Sequence, residues 1–282
     1  MVTAVSRREA ARYLQQSYQV SERRAGQVLS LSNSSLRYRS RRPAAAELRQ
    51  RLRELAVERP RYGYQRLGVL LRREGRQVNH KRVYRLYREE GLKLRKRRRR
   101  ARAQVERVPL SLPTKADERY SMDFMRDTLA DGRVFRVLNI VDDYTRECLA
   151  IEVDTSLPGA RVVRVLERLI ALGRQPLHIV VDDGPEFSSK AVDQWAARRG
   201  VSLRFIDPGQ PMQKAYIESF NGKFRDECLS QHWFISLDEA RSASEEWRRD
   251  YNERRPHRSL QQQTPAEFAA KCNSYKVAEL SL

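Results

Sequence analysis

The chain has 282 residues, with 56 lysines and arginines against 36 aspartates and glutamates, and a formal charge of +20. That length has room for more than one domain and a sizeable core, and such a charge points to a polyanionic partner. Its three cysteines, Cys148, Cys228 and Cys272, form no C-x-x-C pair and no zinc spacing with the four histidines, which argues against a disulfide scaffold or a zinc module.

No apolar run approaches a membrane span, and the start M-V-T-A-V-S-R-R lacks the apolar stretch of a signal peptide. A soluble, cytoplasmic protein with reduced thiols is expected. The charge is unevenly spread. Residues 1–112 carry 31 of the basic and only 9 of the acidic residues, so 113–282 is close to neutral. This reads as a nucleic-acid-binding front end joined to an enzyme-like domain.

In chain order, residues 6–18 suggest a short helix with Ala10, Ala11 and Leu14 on one side. Ser21 can cap a second helix and Asn33 a third, S-S-L-R-Y-R, whose exposed residues are basic or hydroxylic. Helix, turn and basic helix is the order in which a recognition helix enters a major groove; the bland alternative is a small packing element. The break Ser40-Arg41-Arg42-Pro43 closes this first region, 1–42.

A second three-helix region, 43–92, starts with a strongly helix-forming Ala/Leu/Arg/Glu segment at 44–58. It continues with Tyr64–Arg73 and with a helix capped by Asn79, in which Val83, Leu86 and Tyr87 face a core. Lys81, Arg82 and Arg85 lie toward solvent. Singly they are a solvated face; together, with so few compensating acids, they are candidates for phosphate contact. The run K-L-R-K-R-R-R-R-A-R at 93–102, with Lys96, Arg97 and Arg98, can neutralise several phosphates. It opens a basic, proline-containing linker over 93–115.

From 116 the rhythm changes to short strands. Tyr120–Phe124, Val134–Val141 and Glu147–Val153 read as three antiparallel strands joined by turns, with Asp142 and Asp143 as turn-formers. A helix at 158–172 follows, then a strand His178–Val181 that delivers Asp182 at its end. A further helix runs to Arg199, a fifth strand spans Leu203–Ile206, and a helix carries A-Y-I-E-S-F-N-G-K-F-R. These make a core over 116–235. Residues 236–282 read as a C-terminal helical extension, opened by the capping box Ser236-Leu237-Asp238-Glu239.

Three carboxylates stand out. Asp123 interrupts an apolar strand, Asp182 ends another, and Glu218 lies on a helix with 35 residues between it and Asp182. Phosphodiester bonds are cut and rejoined in line, and two divalent cations can hold the attacking and leaving oxygens; such hard cations need several oxygen ligands at one point. On the helix Ile217, Phe220 and Phe224 form an apolar stripe, which turns Glu218, Asn221 and Arg225 toward the rim. Arg225, two turns on, is placed to hold a phosphate, with Lys214 and Lys223 as further candidates. Glu186 is read as shaping the loop after Asp182, and Asp226 and Glu227 as solvated.

The spacing D…D-x(35)-E with a basic residue seven after the glutamate resembles the DDE transposases and retroviral-type integrases. The stretches Y-S-M-D-F, D-D-G-P-E-F, M-Q-K-A-Y-I-E-S-F-N-G-K-F-R-D-E-C-L and Y-N-E-R-R-P-H-R-S-L resemble the OrfB catalytic subunits of bacterial insertion sequences over nearly the whole chain. Two departures mark this chain. Asp183 stands where the family usually has asparagine, and so does Lys214.

The resemblance implies an α/β, ribonuclease-H-like integrase core with a mixed five-stranded sheet, preceded by an all-α helix-turn-helix region. It implies Asp123, Asp182 and Glu218 as catalytic and metal-binding residues, holding two Mg²⁺ or Mn²⁺ ions and needing no nucleotide cofactor. The implied activity is cleavage at element ends followed by strand transfer. The implied partners are double-stranded DNA, further copies of the chain on that DNA, and an upstream OrfA protein with a helix-turn-helix and coiled coil. Its place would be the bacterial cytoplasm, at the nucleoid when bound to DNA. Two rival readings remain: an inactive DNA-binding remnant or repressor, and a ribonuclease H-type nuclease.

Overall fold

The computed structural model describes residues 4–38, 45–94, 112–206 and 214–279, the side chains of 4, 5 and 273–279 excepted. Lys96, Arg97, Arg98 and the segment 207–213 lie outside the described residues. The chain divides into two compact units, Met1–Gln50 and Arg51–Leu282.

The first unit holds α1 (Ala4–Tyr18), α2 (Glu22–Val28) and α3 (Asn33–Arg37). Ser21 caps α2 as its sequence suggests, its hydroxyl accepting from the Arg24 N–H at 3.2 Å. The cap of α3 is Ser32, not Asn33: Ser32 accepts from the Ser35 N–H and Asn33 becomes the first helical residue. Both residues can cap, and the serine already has the extended backbone a cap requires. Gly26 is needed where it stands, since a Cβ there would meet the Leu31 carbonyl and a Leu36 methyl at 2.9 Å.

The second unit begins within α4 (Ala46–Glu58) and continues with α5 (Tyr64–Arg73) and α6 (His80–Glu89). Asn79 caps α6, accepting from the Lys81 N–H at 2.8 Å. Leu52, Leu55, Leu67, Leu71, Val83, Leu86 and Tyr87 are buried. These helices are bolted to the rest of the unit by charge. Arg59 grips both Asp250 oxygens at 2.5 and 2.8 Å, Arg73 reaches Glu267 at 2.7 Å, and Arg61 donates to the Asp226 carbonyl. The two-pronged, partly buried Arg59–Asp250 pair holds orientation better than the exposed contacts of Arg73 and Arg61.

A five-stranded sheet follows, with β1 (Arg119–Thr128), β2 (Val134–Asp142), β3 (Cys148–Asp154), β4 (His178–Val181) and β5 (Ser202–Phe205) in the order β3-β2-β1-β4-β5. β1 pairs antiparallel with β2 and parallel with β4, so the sheet is mixed. Alternation along the strands assigns the faces. Tyr120, Met122, Leu138, Ile140, Ile179 and Val181 meet α7 (Gly159–Ala171) and α8 (Lys190–Arg199). Met125, Val137 and Val141 meet α9 (Ala215–Glu227) and α10 (Leu237–Glu253), with Ile217, Phe220, Phe224, Trp247 and Tyr251. Asp123, in step with Met125, therefore belongs to the α9 face.

Capping boxes punctuate the tail. Ser236 accepts from the Glu239 N–H, opening α10, and Thr264 with Glu267 caps α11 (Pro265–Glu279) reciprocally, at 3.1 and 2.8 Å. All three cysteines are free, with Cys148 and Cys228 buried. Among the described residues no helix is long and apolar enough to cross a membrane.

Candidate active site

Three elements bring the key side chains together. β1 carries Asp123 in its middle, β4 ends at Val181 and hands the chain to Asp182, and α9 starts beside both. β1 and β4 are adjacent and parallel, so their carboxyl ends lie on one edge of the sheet, where α/β folds gather ligands. Gly184 allows the chain to turn closely there: a Cβ on it would stand 3.0 Å from the Asp182 Oδ1.

Lys214 joins the two aspartates. It occupies the N-cap position of α9, and its Nζ donates to Asp123 Oδ1 at 2.9 Å and to Asp182 Oδ2 at 2.8 Å. The other Asp123 oxygen accepts from Asn221 Nδ2 at 2.7 Å, and Asn221 Oδ1 accepts from Asn139 Nδ2 at 2.8 Å. Both oxygens of Asp123 are thus engaged, one by a charge and one by an amide network reaching into β2. Burial pushes the Asp123 carboxyl above its usual range, against the pull of Lys214. Burial opposes the Lys214 charge too, but the hydrogen bonds to Asp182 and Asp123 outweigh it and hold the ammonium above the ordinary lysine value. With two short charge-assisted contacts, the group is an ammonium between two carboxylates.

Glu218 sits in the first turn of α9 and is exposed. Among the described residues no three His, Cys, Asp or Glu side chains stand close enough together to hold a metal ion. The donor chemistry of the aspartate pair nevertheless fits a hard cation: two carboxylates each turn an oxygen to one positively charged atom.

The surrounding acids have distinct work. Asp142 and Asp143 are fully buried. Asp142 accepts from the backbone N–H groups of Asp117, Tyr144 and Thr145, which makes it the turn-former its sequence context suggests. Asp143 binds Arg119 and Ser121 at 2.6 and 2.8 Å. Glu186 pairs with Arg136, tying the loop after Asp182 to β2. Asp183 is exposed. Glu227 differs from its expectation as a solvated residue. It is nearly buried and accepts from Arg255 at 2.5 and 2.7 Å, because α5 and the segment after α10 both close over this end of α9.

The expected phosphate contacts divide. Arg225 is exposed and donates to the Arg126 carbonyl at 3.1 Å. Lys223 leans on Ser219 at 3.0 Å, and burial, with Arg255, Arg66 and Arg146 nearby, lowers it to about 8 despite Glu227. Lys81 and Arg82 are exposed on α6, and Arg85 is half-buried beside Glu89 at 3.6 Å. Outside that set, Arg255 and His257 of the closing stretch Y-N-E-R-R-P-H-R-S-L pack inside, at 2% and 5% exposure. Sequence reasoning placed Asn221 on the rim stripe without a task and passed over Asn139. An asparagine in V-F-R-V-L-N-I-V, otherwise largely apolar, was the available signal for the latter.

Comparison with known proteins places this geometry. Residues 113–211 and 199–265 match Integrase core domain families, and residues 43–100 match an HTH-like domain. The chain is 50% identical over 253 residues to the insertion element IS407 uncharacterized 31.7 kDa protein of Burkholderia multivorans, covering 89% of this chain and 91% of that one. It is 46% identical to the insertion element IS476 uncharacterized 39.2 kDa protein of Xanthomonas euvesicatoria, covering 94% and 77%. It is 26% identical to the putative transposase InsK for insertion sequence element IS150 of Escherichia coli, covering 79% and 83%. A chain of the simian T-cell lymphotropic virus intasome, solved in complex with PP2A regulatory subunit B56 gamma, superposes with a TM-score of 0.52 at 14% identity, covering 77% and 74%. That likeness is one of fold. The chain belongs to the insertion-element transposases with an integrase core domain.

Proposed function

We propose that this transposase cuts DNA at the ends of its element and joins the freed ends to target DNA, with Asp123, Asp182 and Glu218 as its catalytic carboxylates. The observation that carries the reading is the convergence of Asp123 and Asp182 on a single cationic atom at the edge of an integrase-type sheet, with Glu218 on the adjoining helix. Asp123 and Asp182, with Glu218, would hold Mg²⁺ or Mn²⁺. Bound there, such ions supply the positive charge that activates an attacking oxygen and steadies a leaving one.

The protein's own part is positioning. The Asn139–Asn221 pair fixes the Asp123 carboxylate against α9, so strand and helix keep one spacing. Arg225 lies exposed on the same helix, where a guanidinium can take a phosphate oxygen. Lys81 and Arg82 on α6, with Lys96, Arg97 and Arg98 beyond it, extend the contact to the DNA backbone. In the first reaction water attacks the terminal phosphodiester and leaves a 3′-OH on the element. In the second, that hydroxyl attacks a target phosphodiester and expels a target 3′-oxygen, with no covalent enzyme intermediate. Oligomers on DNA and an OrfA partner are part of the same proposal, supported by membership in the family.

The test incubates the full chain with a labelled duplex bearing candidate element ends and an unlabelled target duplex, in Mg²⁺ and then Mn²⁺. Nicked ends and labelled strands joined to target are expected. Products from an RNA–DNA hybrid alone would establish the nuclease reading instead. DNA binding without any cleavage would establish the repressor.

A further inference from the structure

The position of Lys214 is specific. Its Nζ lies 2.9 Å from Asp123 and 2.8 Å from Asp182, with only 11% of its side chain exposed. It is fixed at the N-cap position of α9, so the helix that bears Glu218 also delivers this charge. A divalent ion bridging the same two oxygens would sit about 2.0–2.6 Å from each, within the space the ammonium fills. Two cations cannot share that point, since their mutual repulsion adds to the overlap.

We propose that Lys214 is a tethered cation holding the position between Asp123 and Asp182, so that a divalent ion can bridge these carboxylates only by displacing it. The claim rests on the reading of the pair as a metal site and goes beyond it. It makes Lys214 a positioning residue that sets how readily the site loads. In the ion-free protein Lys214 also relieves the repulsion between the two aspartates and ties β1, β4 and α9 together. Removal of the charge therefore has two opposed effects. The ion-free protein is weakened, and the site is opened to metal.

The experiment measures Mn²⁺ binding to the full chain by the electron paramagnetic resonance of free Mn²⁺, and thermal melting in EDTA and in Mn²⁺. The chain is compared with Lys214→Asn and Lys214→Gln. Both variants are expected to bind Mn²⁺ about tenfold or more tightly than the native chain, as removal of one close positive charge requires. Both should melt below it in EDTA and regain stability as Mn²⁺ is added, while the native chain responds less. Equal Mn²⁺ affinity in all three proteins overturns the Lys214 proposal alone. Absence of Mn²⁺ binding in all three overturns it together with the metal reading of Asp123 and Asp182. Failure of both variants to fold at any Mn²⁺ concentration makes Lys214 a structural residue and likewise overturns the proposal.

Discussion

At the scale of single residues, the proposal that Asp182 rather than Asp183 does the chemistry after β4 draws its support from direction. Asp182 turns an oxygen to the cation it shares with Asp123, whereas Asp183 is exposed. Asp182→Asn is expected to abolish end cleavage and Asp183→Asn to leave it within about threefold, because only the first removes a charge from the shared point. An active Asp182→Asn with a dead Asp183→Asn would reverse the assignment. His257 offers a second test. Burial, with Arg255, Lys223, Arg66 and Arg146 around it, lowers it to about 2 from 6.5, and its ring packs edge-on to Tyr251. The unfolded chain takes up a proton as pH falls through 6.5 while the folded one keeps the ring neutral. This contribution to stability is therefore whole above pH 6.5 and is lost below it, by up to about 1.4 kcal/mol per pH unit. Urea melts at pH 7 and pH 5 should show a smaller acid loss for His257→Gln than for the native chain. Identical losses would show that the ring does not stay neutral.

At the scale of elements, β4 and α5 have the bounds the sequence suggests, because a continuous apolar run between turn signals and a leucine stripe each mark their own ends. β1 is longer than expected. Its last three residues, Arg126, Asp127 and Thr128, are polar, and pairing with β2 as far as Thr128↔Val134 extends it where local pattern alone could not. That Asp123 lies within one strand and Asp182 directly follows another was legible in the sequence. The amide pair behind Asp123 was not, since Asn139 and Asn221 are 82 residues apart and meet only when α9 packs on the sheet. Glu227 was misread for the same reason: its partners Arg66 and Arg255 come from α5 and from beyond α10. The join between α7 and α8 has little slack. A Cβ on Gly159 would fall 1.9 Å from the Ser189 hydroxyl and 3.1 Å from the Glu186 carbonyl. Gly159→Ala is expected to cost about 1–3 kcal/mol in urea unfolding as it forces the loop outward. A change within about 0.3 kcal/mol would mean that the loop yields freely.

At the scale of the whole molecule, the sequence divides by charge near residue 112 and the structure divides near residue 50. The two differ because basic residues continue past residue 50 on α5 and α6, while Arg59, just after α4, and Arg73 of α5 tie this region to Asp250 and Glu267. A fragment of residues 51–282 is therefore expected to unfold in one transition, whereas residues 113–282 alone should be less stable, having lost these contacts. The longer fragment should also bind duplex DNA with an affinity that falls steeply with salt, and the shorter one should bind weakly. Equal binding by both across a salt titration would remove α4–α6 and the basic run from the DNA contact.

The central claim is that the exposed glutamate on α9 works with two aspartates already held at one point. The most direct measurement is end cleavage by Glu218→Gln, with DNA affinity followed in parallel on the same labelled duplex. The substitution keeps size and removes only the charge, so cleavage should fall to background while affinity stays within about threefold. Cleavage at the native rate would contradict the account, since the aspartate pair would then act without the helix beside it.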